Sequence, residues 1–307
     1  MELQILKKMK RSIKIYLFAF IALLGFVGCE DELDLDLPDT AQLVVVEGNI
    51  TEGQPPLVYM TRTLPAIGEI RFSEIDSFFV GGAEITVSNG TETMVLEEYN
   101  LDSIGIFYYV GQTDFITGNF FVGEAGQYYD LEINLDNRLI TGRTKIPNSN
   151  PLDSIYYDFR SVGGVDSLAR IFVGVTDADT IGNFYRFFTQ RNEEPEYPIT
   201  GSVFDDLLIN GDSFPAFVER GQNPNEEFDF NTFGYFRHND SVTVRISSID
   251  KAHYDYWNTF EANAQGGGPF SGITVVDSNI EGESAIGVWG GYGVQTISTR
   301  VIYPSED

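Results

Sequence analysis

Few side chains in this sequence could carry out catalysis or bind a metal ion. The chain contains two histidines, His238 and His253, and one cysteine, Cys29. A zinc site needs three or four ligands, and a serine nucleophile needs a histidine base and a motif such as Gly-x-Ser-x-Gly. The sequence contains neither this motif, nor HExxH, nor paired cysteines. We therefore expect both histidines to be structural, and the protein to be no enzyme and to need no cofactor.

Carboxylates are the one abundant reactive group. The chain has 46 Asp+Glu against 19 Lys+Arg, a net charge of −27, which repels nucleic acid phosphates and keeps a protein soluble. A carboxylate-based polysaccharide hydrolase stays an alternative, because any two of so many acids could form a catalytic pair. Calcium binding by Asp177 and Asp179 stays an open alternative. The surrounding residues lack the Gly and terminal Glu of an EF-hand loop, so a turn is the main expectation and no metal site is predicted.

Aromatic residues provide the candidates for partner contact. Trp289 and Tyr292 lie in the glycine-rich run Gly287–Gly293, whose backbone can approach another surface closely. Rigid aromatic anchors of this kind carry much of the binding energy at interfaces. We therefore predict Trp289 and Tyr292 as partner contacts. The alternative is that both rings fill the end of a β domain.

The first residues have the pattern of a secretory leader. Basic residues between positions 7 and 14 precede an apolar run, Ile15–Val27, which is shorter than the roughly 20 residues of a membrane-spanning helix. Gly28 and Cys29 follow, an order that resembles a bacterial lipobox, although Phe26 replaces the usual leucine. We predict a lipoprotein signal peptide over residues 1–28 and lipidation of Cys29. An uncleaved anchor and a plain signal peptide are the alternatives.

An acidic segment follows the cysteine. Glu30, Asp31 and Glu32 resemble the surface-export signal of Bacteroidetes lipoproteins, and residues 29–41 are predicted to form a tether. The alternative interpretation is an acidic tether that carries no export signal. Stable anchoring by acyl chains needs more than one chain, which a triacylated cysteine provides. The predicted location is the outer membrane, lipid-anchored and facing the cell surface, with the periplasmic face left open.

Strand patterns fill most of the remaining chain. Short apolar or alternating runs separated by Gly-Gly, Asn-Gly and Asp-Asn turns begin at Gln42, and they indicate an antiparallel β-sandwich. Pro147 and Pro151 bracket small polar residues and indicate a boundary. We predict a mainly β fold: an immunoglobulin-like or transthyretin-like sandwich over residues 42–147, followed by a larger β domain with one helix over residues 148–307.

Two segments of the second domain depart from simple hairpins. Residues 250–264 have helical periodicity, with Ser248 or Asp250 available as a cap and a glycine run behind them, so one helix is predicted there. Residues 195–232 contain four prolines and are predicted to form long loops. Strands are predicted to resume at Ile273–Asn279 and Val294–Tyr303.

The ordered pieces of this pattern resemble one known family, the Bacteroidetes lipoproteins called DUF4249. The resemblance rests on the following segments: Leu43–Thr51, Gly81–Val87, Gly126–Leu131 with Thr144–Pro147, Leu152–Ile155 and Pro269–Tyr292. Together they span nearly the whole chain after the leader. The family implies no catalytic residues. Its members often occur beside TonB-dependent outer-membrane transporters, which implies a companion or capturing role.

These observations lead to one functional hypothesis. The protein is expected to be a non-enzymatic accessory of a TonB-dependent nutrient transporter, either binding a solute or capping the transporter. An adhesin or structural surface protein is the alternative from another class. The expected ligand is a small solute, a peptide or a glycan, and the sequence does not distinguish among these three or define an oligomeric state.

Overall fold

The computed structural model describes residues 42–63, 78–101, 106–114, 119–162, 164–207, 211–265 and 275–303. The leader, Cys29 and the acidic residues Glu30, Asp31 and Glu32 lie outside the described residues, so their roles stay predictions. Within the described ranges no helix is long and apolar enough to cross a membrane.

The described chain is mainly β, as the sequence predicts. One helix, α1, spans Lys251–Gln265. The strands are β1 (Val44–Thr51), β2 (Leu57–Arg62), β3 (Glu84–Ser88), β4 (Thr93–Leu101), β5 (Ile106–Gly111), β6 (Thr113–Asp114), β7 (Asn119–Phe120), β8 (Tyr128–Leu135), β9 (Arg138–Lys145), β10 (Leu152–Val162), β11 (Val165–Thr176), β12 (Phe184–Arg191), β13 (Tyr197–Asp205), β14 (Ser213–Val218), β15 (Ser241–Ile249), β16 (Ile280–Glu281) and β17 (Ala285–Arg300).

Twelve of these strands form one mixed sheet in the order β13-β12-β15-β17-β1-β2-β5-β4-β3-β8-β9-β16. Strands β1 and β17 pair in parallel at its centre, and the other pairs are antiparallel. Strands β10, β11 and β14 form a second sheet. Strands from both sides of the Pro147–Pro151 corner therefore share the large sheet. The proposed division into domains at residue 147 stays a prediction.

Two separate cores hold these sheets. In β1, Val44, Val46 and Ile50 are fully buried in an aliphatic core shared with β2, β3, β8 and β9. The intervening residues of β1 face the opposite side of the sheet, as the two-residue period of a strand requires. The second core lies between β11 and the β12–β15 part of the large sheet.

The predicted helix is confirmed, and Asp250 is its cap. The Asp250 carboxylate accepts hydrogen bonds from the His253 backbone N–H at 2.9 Å, the Lys145 backbone N–H at 2.9 Å and the Thr144 hydroxyl at 2.6 Å. One side chain thus satisfies a free N–H of the first helical turn and fixes the helix to β9.

Three predicted segments differ from the structure. Residues 195–232 contain strands β13 and β14 in addition to loops, residues 275–279 form no strand, and β17 begins at Ala285 instead of 294. The glycines of β17 suggested a loop, but here they allow close packing inside a strand. A Cβ on Gly291 would lie 2.5 Å from the Lys145 carbonyl oxygen, closer than real contacts allow.

Candidate binding groove

A groove of about 550 Å³ opens between α1 and one face of the large sheet, and we call it the β17 groove. Its lining combines carboxylates, guanidinium groups, amides, hydroxyls and aromatic rings. The lining residues are Glu47, Asn49, Thr51, Gln54, Arg186, Phe188, Glu196, Pro198, Arg245, Trp257, Tyr292, Val294 and Thr296.

The strand register arranges these residues along β17. Glu47 lies opposite Val288 in the parallel β1–β17 pair, and Thr51 lies opposite Tyr292. Arg245 lies opposite Thr296 in the antiparallel β15–β17 pair. Because Val288 and Thr296 are eight positions apart on β17, the backbones of Glu47 and Arg245 lie near opposite ends of the groove. The Arg245 side chain reaches back along the strand, and its central guanidinium carbon lies 5.5 Å from the centroid of the Tyr292 ring.

Arg186 is held rigidly under the helix. Its guanidinium stacks on the Trp257 ring with 3.5 Å between its central carbon and the ring centroid, and its side chain is 5% exposed. Nε donates to the Ser202 hydroxyl at 3.0 Å, and Nη1 donates to the Tyr292 hydroxyl at 2.9 Å. Glu261 lies 4.0 Å from Nη2. These contacts compensate a buried charge and fix its orientation.

Arg245 is partly satisfied. Its central guanidinium carbon lies 3.8 Å from the centroid of the Phe188 ring, and Nη1 donates to the Ser247 hydroxyl at 3.0 Å. Nε lies 2.7 Å from a Glu196 carboxylate oxygen and forms an ion pair with it. No described residue accepts a hydrogen bond from Nη2. Burial lowers the pKa of Arg245, Arg186 lowers it further, and Glu196 raises it.

Glu47 is the carboxylate that no described residue neutralises by direct contact. It makes no hydrogen bond or ion pair with any described side chain, although it is open to the groove. The protein around it raises its pKa through burial, and Arg186 lowers that pKa in part. Tyr59 lies directly opposite Glu47 on β2. Burial also raises the pKa of Tyr256, on α1, to about 12, and the negative charge of Glu47 contributes.

His253 lies beneath the groove, and its structural role stays a prediction from the sequence. It is 1% exposed and packs edge-on against Tyr292, with 4.6 Å between ring centroids. Burial lowers its pKa to about 3, so the imidazole is neutral at physiological pH. Gly290 allows this packing, since a Cβ there would lie 2.2 Å from the imidazole ring.

The structure separates the two predicted contact residues. Trp289 is completely buried, and its Nε1 donates to the Tyr129 carbonyl oxygen at 3.0 Å. It is a core residue, as the alternative interpretation stated, and not an exposed anchor, because its side of β17 faces the aliphatic core. Tyr292 is 8% exposed and lines the β17 groove, so a partner contact through its ring stays a prediction.

The remaining candidates have structural partners. His238 Nδ1 accepts a hydrogen bond from the Tyr303 backbone N–H at 2.9 Å. Asp177 accepts hydrogen bonds from the Tyr185 hydroxyl and, at 3.1 Å, from the Gly211 backbone N–H. The described part of the chain contains no group of three His, Cys, Asp or Glu residues placed to hold a metal ion.

Sequence reasoning missed the groove residues Glu47, Arg186 and Arg245. A signal existed for two of them, because each arginine is a single charge inside an otherwise apolar strand, Phe184–Phe188 and Val242–Ile246. A charge at a core position is expensive unless it is paired, so such arginines indicate either a buried network or a site.

Comparison with known proteins identifies a family without a described activity. The family described as "Domain of unknown function (DUF4249)" matches residues 30–298. No curated protein and no solved structure matches the chain. Because the match covers well over half of the sequence, the chain belongs to the DUF4249 family, the one that its strand and turn motifs resemble.

Proposed function

We propose that this protein binds a small polar solute in the β17 groove and acts as a non-enzymatic accessory of a TonB-dependent transporter at the outer membrane. One observation carries the binding role. The groove contains two guanidinium groups fixed by stacking and ion pairs, together with a carboxylate, Glu47, that no described residue neutralises.

The energetics of these groups support binding. Charges removed from water cost free energy unless they are paired, and the groove holds Arg186 and Arg245 in fixed orientations. Groups held in place before a ligand arrives reduce the ordering cost of binding. Amide and hydroxyl side chains line the same space, so the groove suits a polar ligand better than an apolar one.

The proposed test is a thermal-shift and calorimetric screen of the purified protein. The panel contains amino acids, alanine peptides, monosaccharides and maltooligosaccharides. Asn49→Trp, which fills the groove, should abolish any binding found. Thr93→Trp, at an exposed position on β4 outside the groove, is the matched control and should bind like the original protein. A panel without any binder, or binding unaffected by Asn49→Trp, would contradict solute capture by this groove.

The envelope location needs its own experiment. Cys29→Ala should release the protein from membranes, because acylation is the proposed anchor. Replacing Glu30, Asp31 and Glu32 by Gln, Asn and Gln should reduce labelling of intact cells by a reagent that cannot cross membranes. Repeated purification of the tagged protein from membranes without any transporter would refute the accessory role but leave solute binding standing.

An exposed aromatic row favours the adhesin as second candidate. On the outer face of the β10-β11-β14 sheet, Phe172 stacks on Tyr156 with centroids 5.3 Å apart and lies 5.7 Å from Phe217. Tyr156 is 47% exposed and Phe217 is 41% exposed. Exposed apolar patches mark interaction surfaces. A deletion strain that loses adhesion and grows normally on every nutrient would favour this role over solute capture.

A further inference from the structure

We infer that the ligand of the β17 groove is a short extended peptide, with its N-terminal ammonium group at Glu47 and its C-terminal carboxylate at Arg245. This inference rests on the proposed solute-binding function and names the class of ligand. It is carried by the placement of opposite charges at the two ends of one groove, with amide and hydroxyl side chains between them.

The separation of the charges requires an elongated ligand. Glu47 and Arg245 are aligned with β17 residues that lie eight positions apart. At about 3.3 Å per residue, a straight strand gives at most about 26 Å between these positions, and strand twist shortens this distance. A free amino acid cannot reach both ends. The charged groups are closer than the backbones, because the Arg245 guanidinium carbon lies 5.5 Å from the centroid of the Tyr292 ring, and Tyr292 is only four positions, about 13 Å, from Val288. An extended peptide spans about 3.3–3.6 Å per residue, so a chain of roughly three to five residues fits.

The Glu47 end has the chemistry that binds an ammonium group. The carboxylate of Glu47 has no cationic partner within ion-pair distance among the described residues. The Tyr59 ring lies opposite it across the β1–β2 pair, and directly opposed side chains in a sheet are about 5 Å apart. A carboxylate beside an aromatic ring attracts a cation through both charge and the ring quadrupole. The net charge of −27 favours the approach of a cationic group further.

The Arg245 end has the complementary chemistry. Its Nε side faces Glu196 and its Nη1 donates to Ser247, while Nη2 has no acceptor among the described residues. Stacking on Phe188 fixes the guanidinium plane. A fixed planar guanidinium with a remaining donor is suited to a carboxylate.

The middle of the groove suits a peptide backbone. Asn49 and Gln54 each offer two N–H donors and a carbonyl acceptor, Thr51 offers a hydroxyl, and Thr296 offers a further hydroxyl at the Arg245 end. These four side chains form no hydrogen bond with any described residue. A peptide presents alternating N–H and C=O groups along its length, which can pair with such side chains without requiring a particular peptide sequence.

The test compares blocked and unblocked peptides by calorimetry on the purified protein. The probes are alanine peptides of three, five and seven residues, each free, N-acetylated or C-amidated. The protein should bind the free three- or five-residue peptide about tenfold more tightly than its N-acetylated form, because acetylation removes the charge that Glu47 pairs. In Glu47→Gln this preference should fall below about twofold. Arg245→Gln should remove the preference for the free carboxylate over the amide.

Two controls separate these effects from a general loss of structure. Glu84→Gln changes an exposed carboxylate on β3 and should keep both preferences. Circular dichroism and melting temperature verify that each variant is folded. Because Glu47→Gln removes an unpaired charge without changing size, it should fold at least as well as the original protein.

Three other outcomes would contradict the inference, the proposed function or both. Peptide binding that ignores acetylation, or that stays sensitive to acetylation in Glu47→Gln, would overturn the peptide orientation and the role of Glu47. Binding of a maltooligosaccharide but of no peptide would overturn the peptide inference and leave the proposed solute-binding function intact. Failure of every solute in the panel would refute both.

Discussion

The two faces of the sheet at the parallel β1–β17 pair differ completely, although the same two strands form both faces. On one face, Trp289 lies in an aliphatic core with Val44, Val46 and Ile50 and has no exposed surface. On the other face, Tyr292 lies at the base of a groove that contains two arginines. Only two residues of β17, Gly290 and Gly291, lie between Trp289 and Tyr292. The comparison shows that one strand can stabilise the fold with one side and present a site with the other.

The means of close packing also differ between the faces. Trp289 fits because its neighbours lack side chains: a Cβ on Gly48 would lie 2.7 Å from the indole ring, and a Cβ on Gly142 would lie 3.0 Å from the Trp289 Cβ. Tyr292 instead accepts a hydrogen bond from Arg186 and packs edge-on against Phe188 and His253. The core face depends on shape, whereas the groove face depends on charges and hydrogen bonds.

The largest expected effect is that of Trp289→Ala. Removing a fully buried indole leaves a cavity, and such changes cost about 3–5 kcal/mol of the free energy of unfolding. Urea denaturation should show this loss, and the folded fraction should bind the ligand of the groove normally. Tyr292→Phe is the matched variant on the other face, since it removes only the hydroxyl bonded to Arg186. Its expected cost is about 1 kcal/mol. A loss below 1 kcal/mol for Trp289→Ala would contradict the assignment of Trp289 to the core.

A smaller effect concerns the stability of the protein in acid. It arises from the imidazole of His253, which packs against Tyr292 on the groove face. The pKa of His253 is lowered from 6.5 to about 3 by burial. Below pH 6.5 the unfolded chain binds a proton at this residue and the folded chain does not, so folding loses about 1.4 kcal/mol per pH unit until about pH 3. This amounts to about 2 kcal/mol at pH 5. Above pH 6.5 the contribution is fully present.

The variant His253→Gln isolates this contribution. Urea denaturation at pH 7 and pH 5 should show a smaller fall in stability for His253→Gln than for the original protein. His238→Gln, which changes an exposed histidine, should show the original fall. Equal falls in all three proteins would mean that the His253 imidazole accepts a proton in the folded state.

The sequence predicted the strands of the core face and the helix because local patterns determine them. The short, β-branched run that contains Val44 and Val46 and ends at Gly48-Asn49-Ile50 indicates a strand whatever the tertiary context. The helix near residues 250–264 followed from its cap and from the glycines after it. These features require only information from a few neighbouring residues. The family also followed from the order of such segments.

The groove could not be predicted because it depends on pairing between distant segments. The parallel register that puts Thr51 beside Tyr292 joins residues more than two hundred positions apart. The glycine-rich segment was ambiguous for the same reason, since glycine indicates a loop locally but allows close packing when Val46 and Lys145 lie next to it. Residues 197–205 and 213–218 form strands because their sheet partners override prolines nearby.

The smallest expected effect, Glu47→Gln, is an increase in stability and distinguishes a binding residue from a structural one. Glu47 keeps an exposed surface at the groove, but the protein around its carboxylate removes enough water to raise its pKa above the usual 4.5, so the folded protein favours the protonated form slightly. The ionised carboxylate therefore opposes folding. Stability is highest below the pKa of the unfolded chain and decreases as the pH rises through the raised value.

Glutamine keeps the size of the side chain and avoids this penalty. The melting temperature of Glu47→Gln should exceed that of the original protein at pH 7, and the difference should vanish near pH 4. Glu84→Gln, on the exposed face of β3, should leave the melting temperature unchanged at both pH values. A decrease for Glu47→Gln at pH 7 would show that the carboxylate stabilises the fold. An increase combined with lost ligand binding would identify Glu47 as a residue retained for function at a cost in stability.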